Sequence, residues 1–357
     1  MPGHDLIVIG ASAGGVEALA TLVAGLPADL SAPVCVVVHT RPYGESHLPA
    51  VLARIGPLPA VAAQHGERLR PGTIYVAVPD LHLLVERDGA HATLRLTRGP
   101  RENRNRPAVD PLFRSAALAF GRRAIGVVLS GALDDGTAGL WAIRDRGGVA
   151  VVQDPDDALV SSMPRNALDE VGADHVAPAR ELGALLGRLV AHSAATAPAS
   201  EPERAPEPSN EAPTLLEHEV AMAAVDETVH QRTERYGDPS RFACPDCGGV
   251  LWDVSGAGPL RFRCETGHAY SPAALDEQQM ESIEEALWAA LRALEDKMAL
   301  ARVRADRAAA QGFPAFAERF GAQEEAAQQH GAAIRTLLRL GGRGGLRPRT
   351  GADARGD

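Results

Sequence analysis

Short apolar runs alternate with amphipathic stretches through the first half of the chain. LIVIG (6–10), VCVVVH (34–39), TIYVAV (73–78), AIGVVLS (124–130), VAVVQ (149–153) and DHVAP (174–178) are bounded by Gly, Pro or Asp. Runs this short and this rich in Val and Ile predict buried strands of a mostly parallel sheet. Between them VEALATLVAGL (16–26), HLPAVLARIG (47–56), PLFRSAALAFG (111–121) and AGLWAIRDRG (138–147) carry helical patterns. Strand and helix in alternation predict an α/β fold, a doubly wound, Rossmann-like three-layer sheet spanning residues 1–192. VERDGAHATLRL (85–96) departs from this and predicts a hairpin turning at Asp88-Gly89.

The pattern then changes. SAATAPASEPERAPEPSNEAP (193–213) has no periodicity and reads as an extended linker, with a short helix following at 214–225 inside a connecting region of 193–239. Residues 240–272 form a Cys-rich module. From 273 the pattern is helical: Ile283, Leu287, Leu291, Leu294 and Met298 share one face, and Phe316, Phe320, Ala327, Ile334 and Leu337 share a second. Gly312 and Pro314 separate them, which predicts a helical hairpin over 273–341. The Gly- and Arg-rich residues 342–357 read as a disordered tail.

Composition narrows the class. At 357 residues the chain is expected to hold two or more domains, and a net charge of −10 argues against a general nucleic-acid binder. There is no basic segment followed by an apolar core at the N-terminus, and no apolar run long enough for a membrane span. Four cysteines are too few for a disulfide scaffold. A cytoplasmic protein without membrane insertion is expected.

The candidate chemistry lies at strand ends. The first strand runs into Gly10-Ala11-Ser12-Ala13-Gly14-Gly15 and then a helix. Glycines permit a tight turn, and the helix start offers backbone N–H groups. A serine there lies at the carboxyl edge of the sheet, beside oxyanion donors such as the Ala13 N–H. The same turn would also suit a phosphate or dinucleotide loop, although the order is not G-x-G-x-x-G and no acidic residue ends the second strand. His39 ends that second strand. Adjacent strands lie about 4.8 Å apart, so His39 is placed to act as base for Ser12. After AIGVVLS comes Gly131-Ala132-Leu133-Asp134-Asp135-Gly136, which places a carboxylate at the same edge. Taken singly, His39 also reads as a satisfied strand-end residue, and the Asp-Gly pair as a turn.

The motifs together resemble those of chemotaxis protein-glutamate methylesterases of the CheB type. IGASAGGVEAL resembles their nucleophile loop, VVVHTRP their base segment and LSGALDDGTAGL their acid loop; GERLRPGTIYVAVPDLHL (66–83), RPAVDPLFRS (106–115) and SSMPRNAL (161–168) extend the likeness over most of residues 5–192. The resemblance implies Ser12 as nucleophile, His39 as base and Asp135 as orienting acid, with Asp134 the alternative acid. It implies oxyanion or supporting roles for Ala13, Ala132 and His82, no cofactor for catalysis, and hydrolysis of glutamate methyl esters on chemoreceptor helices, with deamidation of glutamine at the same site. Ala13 stands where the family usually has Thr, and Ala132-Leu133 where it has Met-Gly. The family usually carries a receiver domain ahead of the esterase; here the esterase begins near Met1, so control by a fused receiver is not expected. A separate receiver protein, a receptor methyltransferase or a second copy docked on the hairpin are the expected partners. Arg95, Arg98, Arg101, Arg104 and Arg106 form a basic stretch suited to a Glu-rich helix or to a solvated loop. A nucleotide binder and a catalytically inactive scaffold are the competing readings.

The Cys-rich module has Cys244-x2-Cys247, then 16 residues, then Cys264-x3-His268. Two knuckle-like pairs at this spacing predict a zinc ribbon with a closed, structural site of three thiolates and one imidazole. Because a linker precedes it, the module is expected to be independent of the esterase.

Overall fold

The computed structural model describes residues 4–40, 44, 46–89, 91–196, 213–226 and 233–341. The predicted tail (342–357) and most of the predicted linker lie outside the described residues. β1 (Leu6–Ala11), α1 (Gly15–Ala24), β2 (Val34–Val38), α2 (Leu48–Ile55), β3 (Ala60–Ala62) and β4 (Ile74–Val76) build one half of the sheet. After the hairpin β5 (His82–Asp88) and β6 (His91–Thr97) comes α3 (Val109–Phe120), and β7 (Ala124–Val128), α4 (Thr137–Asp145), β8 (Val149–Gln153), α5 (Ser162–Glu170), β9 (His175–Ala177) and α6 (Ala179–Thr196) complete the other half.

The seven strands lie in the order β3-β4-β2-β1-β7-β8-β9, all parallel. From β1 the chain builds one side of the sheet, placing β2, then the edge strand β3, then β4 between them, and it returns to β7 to fill the other side outward. The β1/β7 boundary is therefore the topological switch point, where open α/β sheets carry their sites. Both faces of the central strands are covered, so β1, β2 and β7 are apolar throughout. Leu19, Leu22, Leu52, Leu182 and Leu186 of α1, α2 and α6 cover one face, packing on Ile7, Ile9 and Val36. Phe113, Leu140, Ile143 and Met163 of α3, α4 and α5, together with Leu83 and Val85 of β5, cover the other. Cys35 is fully buried in this core, and burial pushes its thiol up.

Within the connecting region, α7 (Leu215–Ala223) starts with a reciprocal cap in which Thr214 and Glu217 each accept from the other's backbone N–H. It packs on the catalytic half: Ala223 and Ala224 cover Leu84, and the Thr97 hydroxyl donates to the Ala223 carbonyl at 2.5 Å. β10 (Asp238–Ala243), β11 (Val250–Asp253), β12 (Phe262–Cys264) and β13 (Ala269–Tyr270) form a four-stranded antiparallel sheet over the Cys-rich segment. Its small core is Leu251, Phe262, Tyr270, Ala274 and Leu275 with Cys244 and Cys264.

This module is not independent of the catalytic half, contrary to what the linker implies. Arg263 donates to Glu102 (3.0 Å) and Glu219 (3.2 Å), Arg261 donates to Glu219 (2.9 Å), and Arg114 of α3 pairs with Glu102. All five side chains are buried. The contact is polar, and its partners are separated by up to 161 residues, so no local pattern announces it. A cavity of about 20 Å³ lined by Glu102, Arg114, Thr137, Arg261 and Ser271 remains in this seam, room for about one water.

Residues from Glu277 belong to a second compact unit. It consists of the greater part of α8 (Pro272–Ala310) and α9 (Pro314–Gly341), turning through Gly312 at φ +79°. Arg335 pairs with Glu295 at 2.7 Å, and the Arg304 guanidinium lies 4.0 Å over the Phe320 ring.

Candidate active site

Three loops at the carboxyl edge of the sheet supply the site. β1 ends one residue before Ser12. Gly14 caps α1 in the left-handed region (φ +72°), which folds the chain sharply enough for the Ser12 carbonyl to accept from the Gly15 N–H at 2.9 Å. The Ser12 N–H donates to the Ser130 carbonyl at 3.0 Å, tying the nucleophile loop to the loop after β7. Gly131 lies against Ser12: a Cβ there would meet the Met163 sulfur at 2.0 Å and the Ser12 Cβ at 2.9 Å. Only glycine allows this approach without displacement.

His39 follows β2, and its N–H donates to the Ala11 carbonyl at 3.1 Å. Its ring bridges the two loops. Nε2 lies 2.7 Å from Asp135 Oδ2, and Nδ1 lies 3.1 Å from Ser12 Oγ. A carboxylate only accepts, so Nε2 carries the proton and Nδ1 is left to accept from the serine hydroxyl. The expected trio is thus joined in one hydrogen-bonded line. The side chains of His39 and Asp135 are 12% and 3% exposed, which shields the pair from water while leaving the serine end open.

Asp135 is held at four points. Oδ2 also accepts from the Val109 N–H (2.7 Å), and Oδ1 accepts from the Asp110 N–H (3.2 Å) and the Asn103 amide (3.0 Å). Val109 and Asp110 are the first residues of α3, so the carboxylate rests on a helix N-terminus, where negative charge is favoured. Burial alone would raise its pKa, but these bonds, that with His39 foremost, hold it below the usual carboxylate range. Asp110 beside it behaves oppositely. Burial first, then the charge of Asp135, pushes it up to about 7. Asp134 does not reach His39; it accepts from the Ser271 hydroxyl, and burial pushes it up to about 6. Geometry therefore selects Asp135 over Asp134. A phosphate loop gives no reason for a serine bonded to a histidine–carboxylate pair.

A model of the family described as CheB methylesterase matches residues 7–186. The chain belongs to that family. Among curated relatives, a protein-glutamate methylesterase/protein-glutamine glutaminase of Geobacter metallireducens is 41% identical over 182 residues, which are 50% of this chain and 49% of that protein. A putative enzyme of the same name from Leptospira interrogans is 36% identical over 186 residues, covering 52% of this chain and 95% of that one. The solved catalytic domain of a CheB methylesterase from Thermotoga maritima is 32% identical with a TM-score of 0.51, covering 53% of this chain and all of that domain. The chain spans about half the length of the first of these relatives, 49%. The likeness ends near α6, so α7, the Cys-rich module and the helical hairpin lie beyond it.

The remaining expected residues fall into two groups. Ala13 and Ala132 are exposed beside Ser12, and among the described residues no acceptor engages either backbone N–H. Both are thus available to an oxyanion. His82 is fully buried and cannot serve there. Its Nε2 donates to the Pro100 carbonyl at 2.8 Å and its Nδ1 accepts from the Ala108 N–H at 3.2 Å, while burial lowers its pKa. It pins the two ends of the loop 100–108 that carries Asn103. The basic stretch is also largely committed: Arg98 and Arg106 pair with Asp80, and Arg95 with Glu86. Asn103, Asp110 and Ser271 are site residues that sequence reasoning missed, although Asp110 stands inside the RPAVDPLFRS motif.

Cys244, Cys247, Cys264 and His268 bring their donor atoms within 4.8 Å of one another. Cys247 Sγ lies 3.7 Å from Cys264 Sγ, and His268 Nδ1 lies 3.7 and 3.5 Å from the sulfurs of Cys244 and Cys264. Ligands about 2.3 Å (sulfur) and 2.0 Å (nitrogen) from a tetrahedral ion stand roughly 3.5–3.8 Å apart. The donor set and its dimensions therefore fit a four-coordinate zinc.

Proposed function

We propose that this chain is a protein-glutamate methylesterase, cleaving glutamate methyl esters on chemoreceptor helices to glutamate and methanol and deamidating glutamine at the same site. The observation that carries this reading is the Ser12–His39–Asp135 line of hydrogen bonds at the sheet's switch point. The chemistry follows from it. Ser12 Oγ bonds to the ester carbonyl carbon as its proton passes to His39 Nδ1, and the carbonyl electron pair moves onto oxygen. The Ala13 and Ala132 N–H groups receive that oxyanion. Asp135 stays ionised and stabilises the imidazolium. Collapse breaks the C–O bond, and the methoxide takes the proton from His39 and leaves as methanol. Water then adds with His39 as base, releasing the carboxylate and free Ser12. With glutamine the leaving group is ammonia. The steps consume only water.

Cys244, Cys247, Cys264 and His268 are the residues that would hold a zinc ion. Bound there it would supply a tetrahedral cross-link between the two knuckles of the small sheet, and no step of ester cleavage passes through it. Among the described residues no helix is long and apolar enough to cross a membrane, and we read the protein as acting in the cytoplasm on the receptors' cytoplasmic helices. The hairpin exposes Trp288, Leu300, Val303 and Phe316, which we read as a docking surface for a partner of the signalling array.

Methanol release from a methylated receptor fragment tests the reading. The full chain is expected to release it and the Ser12→Ala chain is not. Equal release by both would overturn the assignment.

A further inference from the structure

Asn103 stands between the triad and the Cys-rich module: its side chain and N–H are taken by one side or the other, while its carbonyl accepts from the Asn105 amide at 2.6 Å. Its backbone is in the left-handed region (φ +48°), which asparagine tolerates better than most residues. The side-chain amide donates to Asp135 Oδ1 at 3.0 Å and to Asp110 Oδ2 at 2.9 Å. Its Oδ1 accepts from the Ser271 N–H at 2.8 Å, and its own N–H donates to the Ala269 carbonyl at 2.8 Å. The residue is 4% exposed. Ala269 and Ser271 lie one and three residues after His268, and the Ser271 hydroxyl also donates to Asp134, next to Asp135. The module thus touches the acid loop twice, once through Asn103 and once directly.

We propose that Asn103 is a positioning residue for Asp135, and that the Cys-rich module completes the site by holding Asn103 through Ser271. This rests on the reading of Ser12, His39 and Asp135 given above and goes beyond it, since nothing in the family likeness reaches residue 271. A carboxylate can rotate and offer either oxygen. Here Oδ1 is occupied by Asn103 and the Asp110 N–H, which leaves Oδ2 aimed at His39 Nε2. Asn103 also spans Asp135 and Asp110, giving each carboxyl one N–H and keeping two buried acids apart. A side chain that does this must not itself turn. An amide can swap its oxygen and nitrogen ends, and Ser271 prevents the swap: its N–H requires an oxygen, so the NH2 end is fixed toward the acids. The module's other anchors, Arg263 and Arg261 on Glu102 and Glu219, bring Ser271 to this spot, because Glu102 immediately precedes Asn103. The module is then part of the active site's scaffold.

The test uses the full-length, zinc-loaded chain, with methanol release and the ring N–H proton resonance of His39 as readouts. That proton lies in the His39–Asp135 bond, is strongly downfield when the bond is made, and requires no turnover to observe. Asn103→Gly keeps the left-handed backbone and removes the side chain. It is expected to lower kcat on the order of 10²-fold, the scale of a misplaced catalytic group, to leave KM within about twofold, and to abolish the downfield resonance. Ser271→Pro removes the N–H and the hydroxyl together and is expected to do the same. Should that variant unfold, Ser271→Ala, which removes only the hydroxyl, is expected to lower kcat by several-fold, on the order of one hydrogen bond, with Ser271→Thr restoring it. If Ser271 acts through Asn103, the double variant Asn103→Gly, Ser271→Pro loses no more than either single one. An unchanged resonance in Asn103→Gly, with or without a fall in kcat, would overturn the positioning role. Fully multiplicative losses in the double variant would overturn the module's part in it. Absence of methanol release by the wild-type chain would strike the functional reading instead, and the resonance would still decide this one.

Discussion

Two regions of this molecule bury ionisable groups, and they do so by opposite means. At the sheet edge, Asp135 is stabilised by hydrogen bonds, first from the His39 ring and then from the Val109 and Asp110 N–H groups at the start of α3 and the Asn103 amide. In the seam between α3, α7 and the small sheet, Glu102 and Glu219 are stabilised by three arginines. In the first region, burial and then the charge of Asp135 push a second carboxyl, Asp110, up to about 7. The seam has positive charge in excess: burial alone would raise Glu219, but Arg261, Arg114 and Arg263 hold it at about 2. The sheet-edge carboxylate is held by directed hydrogen bonds, and the seam is held by full charges.

The comparison is broken most severely at the triad. Asp135→Asn takes away the acceptor that fixes the His39 tautomer, and the expected loss in kcat is on the order of 10⁴-fold with the fold intact, read from methanol release alongside circular dichroism. In the seam, Glu219→Gln leaves Arg261, Arg263 and Arg114 without their shared partner. Removing one member of a buried ion pair costs about 3–5 kcal/mol. The module should then undock while the sheet stays folded, which hydrogen exchange of residues 238–271 would register. Zinc removal is expected to act on the same segment: chelation unfolds the small sheet and releases Ser271, so ester cleavage falls together with the metal content.

The two regions should also respond to pH with opposite sign. Glu219 has its pKa depressed from 4.5, so its stabilisation is present above that value and is lost as pH falls toward about 2. Asp110 has its pKa raised from 3.8, so its contribution is present below that value and is lost as pH rises through about 7. Thermal unfolding of Asp110→Asn and wild type should therefore converge at low pH and separate, with the variant relatively more stable, as pH approaches 8. The smallest effect is expected away from both regions. Arg335→Ala in the hairpin removes one exposed pair with Glu295, and a change below about 1 kcal/mol is expected in chemical unfolding.

What the sequence revealed follows the same division. The parallel sheet was legible because its central strands, buried on both faces, must be apolar, and Ser12, His39 and Asp135 stood out because each lies in a segment that follows such a strand. The edge strand β3 is three residues of Ala-Val-Ala, half-exposed to exposed, too short and too bland to stand out. The helix α5 carries polar residues over most of its length and buries only Met163, Pro164 and Ala167, so its period is weak. Asn103 gives no apolar signal, and its importance arises from partners at 110, 135 and 271. Arg114 reads locally as one cation on a mostly apolar helix, and nothing near it in sequence tells that Glu102 and Glu219 meet there. The Cys3His cluster was legible because its members come in two tight pairs. Its attachment to the enzyme was not, because that attachment is made of single residues far apart in the chain.

The central claim is that Ser12, activated by His39, is the nucleophile. Treating the full chain with a fluorophosphonate and locating the adduct by peptide mass spectrometry tests it most directly. The account predicts one adduct, on Ser12, absent from Ser12→Ala and formed at least about 10³-fold more slowly in His39→Gln, where the base is gone. No adduct on Ser12 in the wild-type chain, or equal labelling rates with and without His39, would contradict it.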